Sequence, residues 1–118
     1  MNEIFKKEIE LLSNPISALI KEKLNDGFKN RQGRSIHSIE DISIMNIDID
    51  EEKSSLKETV IVTKVIAFAK IWVKFEDGRM NDNIQISLSK PVVLEYDFGA
   101  KEYFIKNSIE LALVDRSY

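Results

Sequence analysis

Residues 58–76 constrain the fold more than any other part of this chain. The stretch reads ETVIVTKVIAFAKIWVKFE, and its β-branched and aromatic side chains favour the extended backbone of a β-strand. At about 3.3 Å per residue it is long enough for one bent strand of roughly 55 Å. Asp77-Gly78 follows at once, and this dipeptide is typical of a two-residue hairpin turn. A long strand with a returning partner therefore forms the predicted centre of an antiparallel sheet.

The turn also predicts how the two strands face each other. A loop made of Asp77-Gly78 puts apolar side chains opposite one another on a single face of the sheet. The predicted pairs are Ile71 with Ile84, Ala69 with Ile86, and Ala67 with Leu88. Because alanine is small, this face lets a helix approach the sheet closely.

Residues 1–27 show helical rather than alternating periodicity. Their apolar side chains recur at the three- and four-residue spacing of one helix face. These side chains are Phe5, Ile9, Leu12, Ile16, Leu19, Ile20 and Leu24. Asn14 can cap a new helix with Pro15 at its first position, yet the apolar phase continues across Pro15, so two helices and one kinked helix both remain open. Gly27 is a typical C-terminal stop.

Residues 40–116 are predicted to form mainly antiparallel strands, after a loop over residues 28–38. The isoleucine alternation changes phase at Met45-Asn46, which indicates a β-bulge. Pro91 cannot donate to a strand ladder, so the chain bends there or lies at an edge. Residues 107–114 fit either a final strand or, in part, a helix.

These patterns predict a single α+β domain over residues 1–118. An N-terminal helix, kinked at Pro15 or not, packs on a curved antiparallel sheet of about four strands. The predicted inner core comprises Ile9, Leu12, Ile16, Leu19, Ile20, Val65, Ala67, Ala69, Ile71, Ile84, Ile86 and Leu88. The order of helix, bulged strand, long bent strand, hairpin and final strand resembles the topology of cystatin-like and nuclear-transport-factor-like cones. The extra N-terminal helices of the second group are missing.

Composition excludes several classes of function. The chain has no cysteine, which removes disulfides, thiolate metal sites and thiol chemistry. Its 17 basic and 20 acidic side chains give a net charge of −3, so a nucleic-acid partner is not expected. There is no apolar run of membrane-spanning length and no secretory signal, so a cytoplasmic protein is expected. The excess of Ile over Leu and of Lys over Arg suggests an AT-rich bacterial or mobile-element gene.

No residue pattern predicts catalysis, a metal or a cofactor. His37 is the only histidine, and no nucleophile elbow accompanies it. Asp48 and Asp50 alternate onto one strand face, but they lack the glycine and the later glutamate of a calcium-binding loop. The basic residues of the loop, Lys29, Arg31 and Arg34, follow a helix C-terminus, where the helix dipole favours cations. We therefore expect a protein that is not an enzyme.

The predicted binding site lies on the second face of the long strand. Ile66, Phe68 and Trp72 point away from the alanines and alternate with Lys70 and Lys74. We call these five residues the outer stripe. In the predicted register, the neighbours of its apolar members are polar, namely Ser89, Ser87 and Asn83. Aromatic side chains ringed by polar ones are typical of interface centres.

One helix covers only one face of a sheet, so either the C-terminal segment or another chain covers the outer stripe. The sequence thus predicts a non-enzymatic protein-binding or assembly module, which binds a partner protein or a second copy of itself in a dimer or higher oligomer. The alternative is a small-ligand-binding cone, or a minor enzyme, with its pocket between helix and sheet. Convergent polar groups on the inner face would mark that pocket, and the inner face is almost wholly aliphatic.

Overall fold

The computed structural model describes residues 7–116. Within these residues, the named elements are a 17-residue α-helix, six β-strands and a short 3₁₀-helix. The helix α1 is Ile9–Asn25, and the strands are β1 Ile36–Ile49, β2 Thr59–Phe75, β3 Gly78–Leu88, β4 Val92–Asp97, β5 Glu102–Ile105 and β6 Leu113–Asp115, with the 3₁₀-helix at Ser108–Glu110. Each pairing between these strands is antiparallel. The α+β class with a helix packed on an antiparallel sheet is therefore confirmed, whereas the expected number of about four strands is wrong.

The helix α1 continues through Pro15, so the two-helix alternative is wrong. Its buried side chains follow the predicted spacing and belong to the same core cluster as one face of β2. They are Leu12, Ile16, Leu19, Ile20 and Leu24. Gly27 ends the helical region with a φ of +75°, a conformation that glycine adopts without a steric penalty. The predicted helix residue Phe5 lies outside the described residues.

The strand β2 runs through the centre of the sheet. At Val62 it pairs with Ile49 of β1 along one edge and with Val92 of β4 along the other. β3 and β4 follow one another along that second edge, and β6 and β5 then line their far side. The sheet is therefore four strands wide. Two of these four positions are each occupied by two shorter strands end to end, namely β3 with β4 and β6 with β5. The two interruptions account for six strands where the hydrophobic pattern predicted about four.

Polar side chains make hydrogen bonds across the interruptions between β3 and β4 and between β5 and β6. These bonds lie near Pro91, which has no N–H to donate. The Asn107 side chain accepts from the Val93 N–H (3.0 Å) and donates to the Pro91 carbonyl (2.9 Å). The Ser89 hydroxyl accepts from the Ala112 N–H (3.0 Å). These bonds replace the ladder where the strands are interrupted, so the predicted bend at Pro91 is part of the sheet.

Residues 107–114 combine the two alternatives left open by the sequence. The 3₁₀-helix lies in the interruption after β5, and β6 then follows as the final strand. Leu111 is buried as the alternation predicts, but Ile109 is 94% exposed.

Bulges in β1 turn its isoleucines towards the core. The pairing with β2 skips Met45 between Ile44 and Asn46, which confirms the predicted bulge. It also skips His37 and Glu40. Each extra residue resets the alternation, so two isoleucines that are three residues apart across a bulge reach the same face. Together with the ordinary two-residue steps, this brings six isoleucines of β1 to the core: Ile36, Ile39, Ile42, Ile44, Ile47 and Ile49.

The hairpin between β2 and β3 turns one residue earlier than predicted, which shifts the strand register by two residues. Its loop is Glu76 and Asp77, flanked by the pair Phe75 and Gly78. Glu76 takes the positive φ, +47°, and Gly78 begins β3. The observed pairs are Ala69 with Ile84 and Ala67 with Ile86. Because the error is two residues rather than one, every side chain keeps its predicted face.

The inner core matches the prediction closely. Every predicted member is buried except Ile9 and Leu88, which are partly buried against the same cluster. Ala67 and Ala69 are 0% and 1% exposed. The helix contacts β1 at one side of the sheet and β5 and β6 at the other.

Candidate functional site

The outer stripe lies on the face of β2 that points away from α1. Phe68 is 43% exposed, although it stands in the middle of the central strand. Ile66 and Trp72 are half-buried, and Lys70 and Lys74 are exposed. The structure thus brings all five residues onto one face, and that face is open to solvent around Phe68.

The neighbours of the stripe on β3 differ from the predicted ones because of the register error. Ile66 lies opposite Ser87, Phe68 opposite Gln85, and Trp72 opposite Asn81. The predicted neighbours Ser89, Ser87 and Asn83 are therefore wrong as assigned. Their chemistry is unchanged, since each apolar side chain still has a polar partner.

Trp72 is covered in part by a neighbouring side chain. The Arg79 guanidinium carbon lies 4.8 Å from the centroid of the Trp72 ring, which is a cation–π contact. Such a contact contributes about 0.5–1 kcal/mol at an exposed site. The tryptophan is consequently held in place while part of its surface stays accessible.

As far as residue 116, the C-terminal segment widens the outer face and does not cover the stripe. β6 pairs with β3 in the plane of the sheet, which puts Val114 opposite Ser87. Val114 is 41% exposed, and the Arg116 Nε donates to the Ser87 hydroxyl at 2.7 Å. Sequence reasoning missed Val114. Alternation alone shows that Val114 points to the face opposite to that of Leu113. Its position across Ser87 from Ile66, however, depends on the pairing of β6 with β3, which no local pattern specified.

A column of polar and acidic residues on β1 borders the lysines of β2. Asp41 lies opposite Lys70, and Asp48 lies opposite Lys64. Within residues 7–116, neither of these two pairs approaches to 4.0 Å between charged atoms, whereas Lys106 and Glu95 do so at 2.8 Å. Both carboxylates and both ammonium groups are exposed. The outer face thus has an acidic column and a basic column side by side.

The other candidate residues have local roles. His37 is exposed, with its Nδ1 3.4 Å from the Ser38 hydroxyl. One Asp50 carboxylate oxygen accepts from the Lys53 N–H at 3.3 Å, which supports the turn after β1. Over residues 7–116, no three acidic or histidine side chains come together in a way that could hold a metal ion.

The basic loop after α1 is docked onto the sheet by Asn30, which is 5% exposed. The side-chain Oδ1 of Asn30 accepts from the Arg34 N–H (2.9 Å), and the side-chain Nδ2 donates to the Asp82 carboxylate of β3 (3.0 Å). The Arg31 N–H donates to the Asp115 carboxylate of β6 (3.0 Å). The loop therefore connects the helix to two strands.

The space beside α1 offers small clefts. One of about 270 Å³ lies against β5, and another of about 210 Å³ lies against β1. Both are smaller than the roughly 300–1,000 Å³ of ordinary ligand sites. Tyr103 lines the first, and burial raises the pKa of its phenol, an effect that the hydrogen bond from the Lys57 N–H to its oxygen (2.9 Å) partly offsets.

The described part of the chain has no helix with the length and hydrophobicity needed to cross a membrane. The sequence and structure match no protein-family model, no curated protein and no solved structure at a significant level. Conclusions about function therefore depend on the geometry of the outer face.

Proposed function

We propose that this protein is a non-enzymatic assembly module that binds protein through the outer stripe. The observation that supports this most is the exposure of Phe68, 43% against 0–1% for its strand neighbours Ala67 and Ala69. Large aromatic side chains surrounded by polar ones are the usual anchors of protein interfaces. Ile66 adjoins Phe68 on the same face of β2, Trp72 lies beyond Lys70 on that face, and Val114 lies on the far side of Ser87 from Ile66.

The polar surroundings of the stripe also support a protein partner. Exposed Lys70 and Lys74 and the amide side chains of β3 form a rim that can stay hydrated when the centre is buried. A membrane partner is not part of the proposal, and neither is a cofactor.

A small-ligand cone is the weaker alternative. Leu12, Ile16 and Ile20 are at most 1% exposed and share one core with Ala67 and Ala69, so aliphatic side chains occupy the region between helix and sheet. The cone topology itself stays part of the proposal. What supports it is that α1 contacts strands at both sides of the sheet.

Trp72→Ala tests the proposal directly. Loss of a central aromatic anchor typically weakens binding by about 2 kcal/mol, or roughly thirtyfold. We expect the variant to stay folded at low protein concentration, with a small loss of stability from the missing Arg79 contact, and to associate less in sedimentation experiments. A variant that keeps its association state and loses several degrees of melting temperature would show that the stripe serves the fold alone.

Photo-cross-linking gives a test that does not depend on self-association. Benzoylphenylalanine replaces Phe68 in one variant. In a control variant it replaces Phe98, which is 70% exposed in the turn between β4 and β5. We expect the position-68 variant to form cross-linked protein adducts, and we expect Trp72→Ala to reduce their yield. The position-98 control should form no adducts whose yield depends on Trp72. Equal adducts from both positions, or none from position 68, would contradict the proposal.

A further inference from the structure

On the outer face, β1 and β2 form cross-strand pairs of residues, and we call each pair a level. Four successive levels are Asp41 with Lys70, Ser43 with Phe68, Asn46 with Ile66, and Asp48 with Lys64. The first and last of these levels carry opposite charges. Each charged level has the acid on β1 and the base on β2. Two levels with large apolar side chains on β2 lie between them.

We propose that the partner at this site is a second copy of the chain, packed face to face about a two-fold axis that runs along the strands between β1 and β2. This inference rests on the proposed function and names its partner. Rotation about that axis exchanges the β1 and β2 columns and keeps each level unchanged. Asp41 of one copy then lies over Lys70 of the other, and Asp48 lies over Lys64.

The same operation brings the apolar side chains together. Adjacent strands are about 4.8 Å apart and packed sheets about 10 Å apart, so the two β2 columns lie side by side across the axis and can interdigitate. Phe68 from each copy meets at one level, and Ile66 meets at the next. The contact therefore has an apolar centre formed by Phe68 and Ile66. At one end Asp41 of each copy faces Lys70 of the other, and at the other end Asp48 of each copy faces Lys64. Both copies use the same surface, as the symmetry of an isologous dimer requires.

The charge pattern argues against the other simple two-fold axis. An axis across the strands would place β1 of one copy over β1 of the other and β2 over β2, so the acids of β1 would not lie over the lysines of β2. At a position near Ala69 it would also put Lys64 of one copy over Lys74 of the other, and opposed like charges cost several kcal/mol at an interface. Of the two axes, the one along the strands is therefore the one that pairs opposite charges between the copies.

Pairing through the free edge of β1 is also disfavoured. That edge skips His37, Glu40 and Met45 in its pairing with β2, and bulges twist a strand away from the flat geometry that a further strand requires. The outer face is therefore a better surface for a second copy than the edge of β1.

Two charge reversals test the arrangement. Asp41→Lys alone places lysines over lysines in a homodimer, and Lys70→Asp alone places acids over acids. We expect each variant to self-associate roughly tenfold or more weakly than the parent in sedimentation equilibrium. An equimolar mixture of the two restores opposite charges at both contacts, so we expect it to form heterodimers at least as tight as the parent dimer.

Asp26→Lys and Lys101→Asp are the matched controls. They make the same charge changes at exposed sites away from the outer face, the second at a positive φ that aspartate tolerates. Neither control should alter association, alone or mixed. Thermal unfolding of each variant at low concentration checks that the fold is intact.

The outcomes separate this inference from the proposed function. Charge variants that dimerise like the parent, while Trp72→Ala weakens the dimer, would overturn the arrangement and leave the outer stripe as the binding site. A parent that stays monomeric at the highest concentration would exclude the second copy, and the cross-linking at position 68 would then decide the proposed function alone. A monomer that binds a single-stranded DNA oligonucleotide and loses it on Lys70→Asp would assign the face to nucleic acid instead.

Discussion

The two faces of β2 reverse the usual relation between side-chain size and burial. The inner face carries Ala67 and Ala69, which are buried, and the outer face carries Phe68 and Trp72, which retain access to solvent. Ala67 and Ala69 belong to the core cluster that also contains the buried side chains of α1, whereas nothing described in the chain covers Phe68. Packing in the core therefore accounts for the inner residues, but it does not account for the aromatic residues of the outer face.

The largest expected contrast is between Ile20→Ala and Phe68→Ala. Ile20 is 1% exposed, so its truncation leaves a cavity and should cost about 2–5 kcal/mol of unfolding free energy. Phe68 is 43% exposed, so its truncation removes only part of a buried side chain and should cost about 1–2 kcal/mol in the dissociated protein. Urea unfolding at low protein concentration measures both. Equal losses would mean that the two faces serve folding alike.

The next contrast enlarges a side chain on each face. Ala69→Leu should overpack the contact below α1 and cost about 1–3 kcal/mol. Asn83→Leu, at an exposed position on the outer face, should change stability by about 0.5 kcal/mol or less. An Ala69→Leu variant that melts like the parent would show that the helix does not restrict this position.

A smaller effect concerns the pH dependence contributed by the inner face. Burial raises the folded-state pKa of Tyr103 above its ordinary value, so folding favours the neutral phenol. The stability that this contributes is complete below a pH of about 10 and is lost as the pH rises through the higher folded pKa. We expect unfolding free energy to fall in that alkaline range, and to fall less steeply in Tyr103→Phe. Parallel curves for the two proteins would contradict a buried neutral phenol.

The smallest expected effect is that of His37→Ala. His37 is exposed at a skipped position of β1, so its loss should change stability by about 0.5 kcal/mol or less and leave association intact. Thermal unfolding and sedimentation measure both quantities. A large loss of either would give this histidine a role that the geometry does not suggest.

The alternation of apolar and polar residues correctly predicted which face of the sheet each side chain of β2 and β3 occupies. This prediction depends only on whether two residues are an even or an odd number of positions apart. The hairpin register was wrong by two residues, yet Ala67, Ile84 and Ile86 still reached the core, since an even shift preserves the face. The turn itself was mispredicted because Glu76 adopts a positive φ in place of Gly78.

The parts that could not be predicted depend on contacts distant in sequence. Val114 joins the outer face only because β6 pairs with β3, and Asn107 replaces ladder bonds only because Pro91 lies beside it. The bulge at Met45 was visible from the isoleucine spacing, and the same three-residue spacing before Ile39 and Ile42 was the available signal for the other two.

The docked loop after α1 has a consequence for the order in which the chain assembles. Most strand pairings join neighbours in sequence, whereas the Arg31 N–H bonds Asp115 and Asn30 bonds Asp82, across 84 and 52 residues. Closing such long segments carries a larger entropic cost, so we expect these bonds to form after the hairpins. Contacts that form after the folding transition state slow unfolding without hastening folding. We therefore expect the docked loop to lengthen the lifetime of the folded chain and to leave its folding rate unchanged.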